Sequence, residues 1–253
     1  MKPDPALWPP APPKPHLESR EVHVWATGLD VAPAELERLT ATLSSAEHDR
    51  ASRFRFDQHR NRFIVGRGWL RTTLGCYLQT EPGALEFSYG PHGKPALAGA
   101  FDKAGWHFNL AHSSRLALLA VTRLGQVGVD IEEVRPMPDA EDLVNRFFSA
   151  REAALFGELP EHQKSEAFFN LWTRKEAWLK ATGEGIGRSL HLVEVSFLPG
   201  EPARLLELPE ALPAEPLWNL RELAPAPGFA AAVALAVEAP VLRCWSSWRR
   251  VTV

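Results

Sequence analysis

Four charged side chains in two short motifs could act together on a phosphate. Asp130 and Glu132 lie two residues apart in a run of β-forming residues, and Glu176 and Lys180 lie four apart in a segment with helical periodicity. Side chains alternate along a strand and recur every three to four residues on a helix face, so each pair shares one side of its element. If the helix packs across the strand end, three carboxylates meet a lysine. Such a group suits a hard cation like Mg²⁺ acting on a phosphate substrate.

Each of these features also has an ordinary structural explanation. The strand end that carries Asp130 could be solvated, and Lys175, Glu176 and Lys180 could form surface ion pairs worth roughly 0.2–0.5 kcal/mol. Trp172, four residues before Glu176, could be a plain core residue. Taken singly, each feature favours the structural explanation, whereas their joint occurrence favours a site.

The strands before the first motif bring further polar groups. Residues 106–114 predict a strand that ends at His112 and Ser113, and residues 115–123 predict the next one. A turn at 124–126 then leads into the strand with the carboxylates. We expect a hairpin across this turn to place His112 and Ser113 beside those carboxylates.

The second motif lies in the best-defined helix, predicted over residues 163–182. Glycines within 183–187 are typical of a helix C-cap. Its apolar face consists of Phe168, Leu171, Trp172, Trp178 and Leu179. An earlier helix begins at Ser149, where Glu152 completes a capping box, and it follows another helix that starts at Asp139.

A long helical stretch over residues 45–78, with a break near Asp57, interleaves basic and aromatic residues. Its N-cap is Ser44 or Ser45. Arginine with interleaved aromatics is typical of a nucleic-acid surface. The alternative, which we favour, is a helix with an aromatic core face and a solvated arginine face, with one or two arginines recruited to a ligand. The residues are Arg50, Arg53, Arg55, Arg60, Arg62, Arg67 and Arg71 with Phe54, Phe56, Phe63 and Trp69.

Proline and glycine mark two special segments. Residues 1–17 are so rich in proline that we expect neither helix nor sheet pairing but a tail or a strap over the surface. In residues 89–97, Gly93-Lys94-Pro95 predicts a tight turn that could present Lys94 to a phosphate, although an ordinary turn is the simpler interpretation.

The remaining pattern predicts strands at 21–26, 190–198, 217–223 and 228–237, a helix at 34–43 and a loop at 199–216, with no prediction for 238–253. The strand at 228–237 is small and apolar enough to be central. This order indicates an α+β fold of two similar α+β halves in a pseudo-twofold arrangement, with the active site in the cleft between them. The domains are 1–17, a proline-rich extension, 18–124 and 125–253.

Bulk composition excludes several classes of protein. The 253 residues carry a net charge of −3 and are 45% hydrophobic, which is usual for a globular protein and does not indicate nucleic-acid or membrane binding. No apolar run reaches membrane-spanning length, and the N-terminus lacks a signal-peptide core. Cys76 and Cys244 are predicted to be buried thiols in a reducing compartment, so we expect a cytoplasmic protein.

Three motifs in order carry a family resemblance: Phe108–Ser113, Gly128–Glu132, and Trp172–Gly185, the last preceded by Phe147-Phe148-Ser149. Together with the Gly93-Lys94-Pro95 loop and the arginine stretch, they closely resemble 4′-phosphopantetheinyl transferases of the large, monomeric Sfp type. The resemblance covers roughly residues 20–240.

The resemblance implies transfer of the phosphopantetheine arm of coenzyme A to a serine of an apo acyl or peptidyl carrier protein. The second product is 3′,5′-adenosine bisphosphate. The resemblance also implies that Asp130, Glu132 and Glu176 bind Mg²⁺ or Mn²⁺. Glu176 would also take the serine proton, directly or through a metal-bound water, and Lys180 would stabilise charge on the pyrophosphate. Carrier proteins and coenzyme A are the expected partners, without nucleic acid or membrane.

For coenzyme A binding, the resemblance assigns His112 to the 3′-phosphate and adds Lys94 and Arg62 as nucleotide ligands. Pro95, Ser113 and Lys175 complete the implied set. The chain departs from the best-known members where Ala111 replaces a serine and where Glu47 and Arg50 replace two lysines. Two rival functions are a non-catalytic coenzyme A or carrier-protein binding module on the same fold and a nucleic-acid binder using residues 50–71.

Overall fold

A computed structural model describes residues 8–183, 190–208 and 218–247. The helices are α1 (Pro33–Thr40), α2 (Ser45–Ser52), α3 (Asp57–Leu78), α4 (Ala140–Phe147), α5 (Ala150–Gly157) and α6 (Glu161–Thr182). The strands are β1 (Glu21–Gly28), β2 (Phe87–Tyr89), β3 (Pro95–Leu97), β4 (His107–Ser113), β5 (Leu116–Thr122), β6 (Val127–Glu133), β7 (Glu194–Val195), β8 (Leu205–Glu207), β9 (Trp218–Leu223), β10 (Phe229–Ala236) and β11 (Val241–Ser246). The predicted α+β class is confirmed, and the pseudo-twofold relation stays a prediction.

Two sheets form the centre of the protein. The first has the order β11-β1-β5-β4, in which β1 and β4 run antiparallel to β5 and β11 runs parallel to β1. The second is the antiparallel sheet β6-β10-β9. Two short pairs, β2–β3 and β7–β8, lie outside these sheets. As predicted, β10 is a central strand.

The hydrophobic residues arrange these elements in four layers of helix, sheet, sheet and helix. Alternate side chains of the two sheets, such as Val24, Leu118, Val129 and Val233, share one core. The opposite face of the first sheet packs against α3. The opposite face of the second carries the small residues of β10 and packs against α6. Each sheet is therefore covered on both faces.

Local signals place the helix ends well. Ser44 with Glu47 and Ser149 with Glu152 form complete capping boxes. The long helical stretch is broken near Asp57, as predicted. Helix α6 starts two residues earlier than expected, and Gly183 ends it with φ 80°, a conformation that glycine adopts without a Cβ penalty. The glycines predicted beyond Gly183 lie outside the described residues.

The predicted hairpin between residues 115–123 and 127–132 is wrong. The strand β5 pairs with β1 and β4, whereas β6 pairs with β10 in the other sheet. All residues of β5 are buried, so this strand needs neighbours on both edges. The true hairpin joins β4 to β5 through Ser114, which has φ 51°.

The C-terminal region differs from the prediction in three ways. Strand β11, which was not predicted, joins the first sheet and not the half that contains residues 125–237. Within the predicted strand 190–198, only Glu194–Val195 pairs, and the predicted loop 199–216 contains β8 in its described part. The half-exposed β11 lacks a clear hydrophobic alternation, so its sequence pattern does not predict a strand.

The described part of the proline-rich segment, residues 8–17, is a strap, as predicted, but it does pair with a strand; residues 1–7 lie outside the described residues. Trp8 is buried in the core shared by the sheets. The Ser246 N–H donates to the Pro9 carbonyl at 2.9 Å, and Ala11 N–H donates to the Ser246 carbonyl at 3.1 Å. Proline lacks only the N–H donor, so its carbonyl can still accept.

Two further observations bear on the composition. Cys76 is exposed, so its predicted burial is wrong, whereas Cys244 is half-buried and burial raises the pKa of its thiol to about 12. No helix in the described part of the chain is long and apolar enough to cross a membrane.

Candidate active site

Strand β6 carries two carboxylates on its helix-facing side. Val129 and Ile131 point into the core between the sheets, so the alternating Asp130 and Glu132 point the other way. Asp130 is only 5% exposed.

Helix α6 reaches these carboxylates because β6 contains a glycine. A Cβ on Gly128 would lie 2.0 Å from the Ala177 carbonyl oxygen and 2.4 Å from the Ala181 nitrogen. The helix backbone therefore contacts the strand backbone directly. This close crossing places Glu176 and Lys180 opposite Asp130.

Asp130 and Lys180 form the best-defined contact of the site. The Lys180 ammonium donates to Asp130 Oδ1 at 2.6 Å. Burial raises the pKa of Asp130 to about 6 although Lys180 opposes the shift, and the charge of Glu132 adds to it. Asp130 Oδ2 is buried and has no hydrogen-bond partner among the described residues.

Glu176 is the second carboxyl group with a raised pKa. It is 3% exposed, and burial together with the charge of Asp130 raises its pKa to about 7. Its Oε1 atom is also buried without a partner in the described structure. A buried carboxylate without donors is costly unless a ligand, cation or proton satisfies it.

Strand β4 adds a hydroxyl and an imidazole from the neighbouring sheet. The Asn109 Oδ1 atom accepts from the Val129 N–H at 2.8 Å and so ties β4 to β6. Ser113 Oγ donates to Glu132 Oε2 at 2.7 Å and accepts from the Glu133 N–H at 3.1 Å. The predicted closeness of the β4 end to the carboxylates is therefore present, although it comes from sheet packing.

His112 is exposed at the edge of this cluster. Partial desolvation, followed by the charges of Lys180 and Arg50, lowers the pKa of its imidazole, while Glu132 opposes the shift. The ring therefore lies close to these charged groups. Arg50, at a position where the resembled family has a lysine, is thus near the site.

Lys94 lies close to the site but is already engaged. Its ammonium donates to the carbonyls of Lys180 at 2.6 Å and Val127 at 3.1 Å, and to the Gln126 side chain at 3.2 Å. Burial lowers the pKa of Lys94 to about 8. The predicted tight turn is present, with Gly93 at φ 77°, and Pro95 pairs with Tyr89 in the short β2–β3 hairpin.

Lys175 does not join the cluster, contrary to its implied place among the coenzyme A ligands. It is 0% exposed, and its ammonium donates to Glu152 and to the Leu190 carbonyl. Adjacent residues of a helix point about 100° apart, so Lys175 faces the interior while Glu176 faces the site.

The arginine stretch is less solvated than predicted. Arg67 and Arg71 are buried and pair with the buried Glu47 at 2.7 and 2.6 Å. The two guanidinium groups and the Ser44 backbone N–H lower the pKa of Glu47 against the effect of its burial. Glu47 is thus an internal residue at a position where the resembled family has a lysine. Arg62 remains near the surface and pairs with Asp30.

An apolar cavity of about 390 Å³ opens beside Glu132. Glu132 and Arg135 are its charged lining residues, and Trp172, one turn before Glu176, forms part of its wall. The other lining residues are Met137, Leu143, Phe147, Phe168, Phe169 and Leu190. Sequence reasoning missed the contribution of α4, whose amphipathic pattern was the available signal.

The cluster combines acid, base and cation chemistry in a small volume. The described ranges contain no group of three or more His, Cys, Asp or Glu side chains placed to hold a metal ion. Two buried carboxylate oxygens nevertheless lack partners, and hard oxygen ligands are those that Mg²⁺ prefers. Near pH 7 Glu176 can accept or donate a proton.

Comparisons with known proteins agree with this chemistry. The family model described as "4′-phosphopantetheinyl transferase superfamily" matches residues 126–234, and that described as "4′-phosphopantetheinyl transferase, N-terminal" matches residues 30–124. The 4′-phosphopantetheinyl transferase HetI of Nostoc sp. strain PCC 7120 is 48% identical over 229 residues, which is 90% of this chain and 93% of that protein.

Relatives from Bacillus are more distant. The 4′-phosphopantetheinyl transferase psf-1 of Bacillus pumilus is 33% identical over 159 residues, 63% of this chain and 66% of that protein. Sfp of Bacillus subtilis strain 168 is 27% identical over 156 residues, covering 62% and 67% respectively. The chain therefore belongs to the 4′-phosphopantetheinyl transferase superfamily and is an enzyme that transfers phosphopantetheine to carrier proteins.

Proposed function

We propose that this enzyme takes the 4′-phosphopantetheine arm from coenzyme A and attaches it to a serine of an apo acyl or peptidyl carrier protein. The serine oxygen bonds to the phosphorus that bears pantetheine, and the phosphoanhydride bond breaks. The leaving group is 3′,5′-adenosine bisphosphate. The observation that carries this proposal is the buried pair Asp130 and Glu176, each with an unpartnered oxygen, beside Lys180.

Glu176 is suited to accept the serine proton. Before a cation binds, its pKa of about 7 lies near a neutral working pH, where a general base is most effective. Lys180 is partly exposed and can stabilise negative charge on the pyrophosphate once a substrate competes for its contact with Asp130. Within this cluster, we propose Glu176 alone as the proton acceptor.

A Mg²⁺ or Mn²⁺ ion fits the carboxylate oxygens that lack partners. Asp130 Oδ2 and Glu176 Oε1 would hold it, and Glu132 would join after releasing Ser113. The bound ion would neutralise charge on the transferring phosphate. Mg²⁺ should raise the melting temperature of the wild type and not of Asp130→Asn; equal shifts in both proteins would remove Asp130 from the metal set.

The nucleotide end of coenzyme A meets the groups around the β4–β5 turn. In this proposal His112 and Ser113 contact the 3′-phosphate, and Arg62 contacts a nucleotide phosphate. Lys94 and Pro95 form the neighbouring wall. Lys94 must give up at least one of its carbonyl contacts to bind a phosphate directly.

The apolar cavity beside Glu132 supports the placement of the pantetheine arm. The arm is a flexible chain of amides and methylenes with little charge, and an apolar cavity of about 390 Å³ lined by Trp172 and Phe168 suits such a chain. An arm lying there would place its phosphate end near Glu132.

Intact-protein mass spectrometry tests this function. Apo carrier proteins of the fatty-acid, polyketide and peptidyl types are incubated with the enzyme, coenzyme A and Mg²⁺, with EDTA as the control. We expect at least one carrier to gain the mass of one phosphopantetheine, and EDTA to prevent the gain. No gain on any of the three, despite measurable coenzyme A binding, would favour the non-catalytic binding module.

A further inference from the structure

Arg62 is held by a carboxylate that the sequence did not single out. Its Nε donates to Asp30 Oδ1 at 2.7 Å and its Nη2 donates to Oδ2 at 2.8 Å. This two-bond contact fixes the plane of the guanidinium group. Among the described residues, Nη1 has no hydrogen-bond partner and remains available as a donor.

Asp30 is attached to a rigid part of the protein. The preceding residue, Leu29, is buried in the core, and its N–H donates to the Arg115 carbonyl at 2.8 Å. Asp30 therefore lies beside the β4–β5 turn. This turn directly follows His112 and Ser113, the two site residues of β4. The charges of Arg115 on Asp30 and of Glu133 on Arg62 agree with this position.

We propose that Asp30 is a positioning residue, which holds the Arg62 guanidinium so that Nη1 meets a phosphate of the nucleotide part of coenzyme A. This inference rests on the proposed function. A free arginine side chain would lose rotamer freedom on binding, and the Asp30 contact has already removed that freedom. The Asp30 carboxylate also repels a phosphate. If Asp30 mainly positions Arg62, its removal weakens coenzyme A binding; if the repulsion dominates, its removal strengthens coenzyme A binding.

The test is a double-mutant cycle on coenzyme A affinity, measured by isothermal titration calorimetry without a carrier protein. We expect Asp30→Asn to weaken coenzyme A binding by roughly tenfold and Arg62→Ala to weaken it by at least as much. The double variant should bind as Arg62→Ala does, because Asp30 acts only through Arg62. In assays of phosphopantetheine transfer, the KM of Asp30→Asn for coenzyme A should rise while its kcat stays near the wild-type value.

Glu35→Gln is the matched control. Glu35 makes the same two-bond contact, at 2.7 and 2.8 Å, with Arg38 on the adjacent helix α1. We expect it to leave coenzyme A affinity unchanged. An unchanged or tighter affinity in Asp30→Asn would overturn the inference, as would an Asp30→Asn effect that persists in Arg62→Ala. These results are independent of carrier transfer, so a failure of the proposed function would be seen separately.

Discussion

Single side chains in this site do not behave as their positions in the sequence would suggest. Two neighbours, Lys175 and Glu176, have different surroundings because the helix turns them about 100° apart. The first is neutralised in the interior by Glu152, and the second keeps an unpartnered oxygen at the site. Burial of the charged group costs free energy in both cases. Only at Glu176 can a ligand or cation offset that cost, because its Oε1 atom has no partner among the described residues.

The first prediction concerns the stability cost of Glu176. Folding raises its pKa from 4.5 to about 7, so the folded state binds more protons than the unfolded state between these values. Wild-type stability should therefore fall as the pH rises through this window. Glu176→Gln removes the cost and should be more stable than the wild type by roughly 1–3 kcal/mol at pH 8, with a smaller gain at pH 5.

Urea unfolding at both pH values, with EDTA present, measures this difference. Glu37→Gln, which changes an exposed glutamate on α1, is the control and should leave the free energy of unfolding close to that of the wild type. A Glu176→Gln variant that is less stable than the wild type at pH 8 would contradict the account of its environment.

The second prediction separates the structural role of Lys175 from substrate binding. Lys175→Met leaves the buried Glu152 without its cation and should destabilise the protein by about 3–5 kcal/mol. Below the unfolding transition, its coenzyme A affinity should equal that of the wild type. Lys164→Met, which removes a surface lysine paired with Glu141, should unfold like the wild type in urea. A weakened coenzyme A affinity in folded Lys175→Met would return Lys175 to the ligand set.

The side chains of the cluster could be predicted where local periodicity determines them. Strand alternation puts Asp130 and Glu132 on one side, and helix periodicity puts Glu176 and Lys180 on one face. The partner of Lys175 is 23 residues away and the partner of Arg62 is 32 away. Such contacts depend on packing, which one sequence does not specify.

Among the secondary-structure elements, the crossing of β6 and α6 decides whether the site exists. The two backbones touch at Gly128. The site side chains of both elements lie close to this contact along their own strand or helix. The third prediction is that Gly128→Ala forces them apart and destabilises the protein by about 3 kcal/mol or more.

Thermal unfolding checks this prediction against a matched glycine. Gly28 ends β1, and a Cβ there would meet nothing within 4 Å, so Gly28→Ala should melt close to the wild type. If Gly128→Ala melts like Gly28→Ala, the helix does not contact the strand as closely as described here.

Element boundaries followed the sequence better than element pairing. Capping boxes and Gly183 are local signals, and they located helix ends within about two residues. The expected β5–β6 hairpin failed because β5 satisfies both of its edges with β1 and β4. Pairing depends on which strands bury which face, and adjacent strands need not be partners.

At the scale of the whole molecule, residues 8–11 and strand β11 lie together at one edge of the first sheet. The N-terminal strap lies against β11, and β11 extends the first sheet beside β1. The fourth prediction is that Trp8→Ala lowers the free energy of unfolding by about 3 kcal/mol, because Trp8 contributes to the core between the sheets.

Urea unfolding measures this loss. Lys14→Ala, which alters an exposed residue of the same strap, should leave the unfolding midpoint unchanged. A Trp8→Ala midpoint equal to that of Lys14→Ala would show that the strap adds nothing to the core. Proline content predicted the extended strap, whereas its docking on β11 depends on a strand that the sequence did not reveal.

The measurement that tests this account most directly is the rate of carrier modification by Glu176→Gln. The fifth prediction is that this variant transfers phosphopantetheine roughly 10²- to 10⁴-fold more slowly than the wild type, because it lacks the proton acceptor, even though it is more stable. Intact-protein mass spectrometry gives the rate, and urea unfolding confirms that the variant is folded. A stable Glu176→Gln variant that works within threefold of the wild-type rate would contradict the role of Glu176.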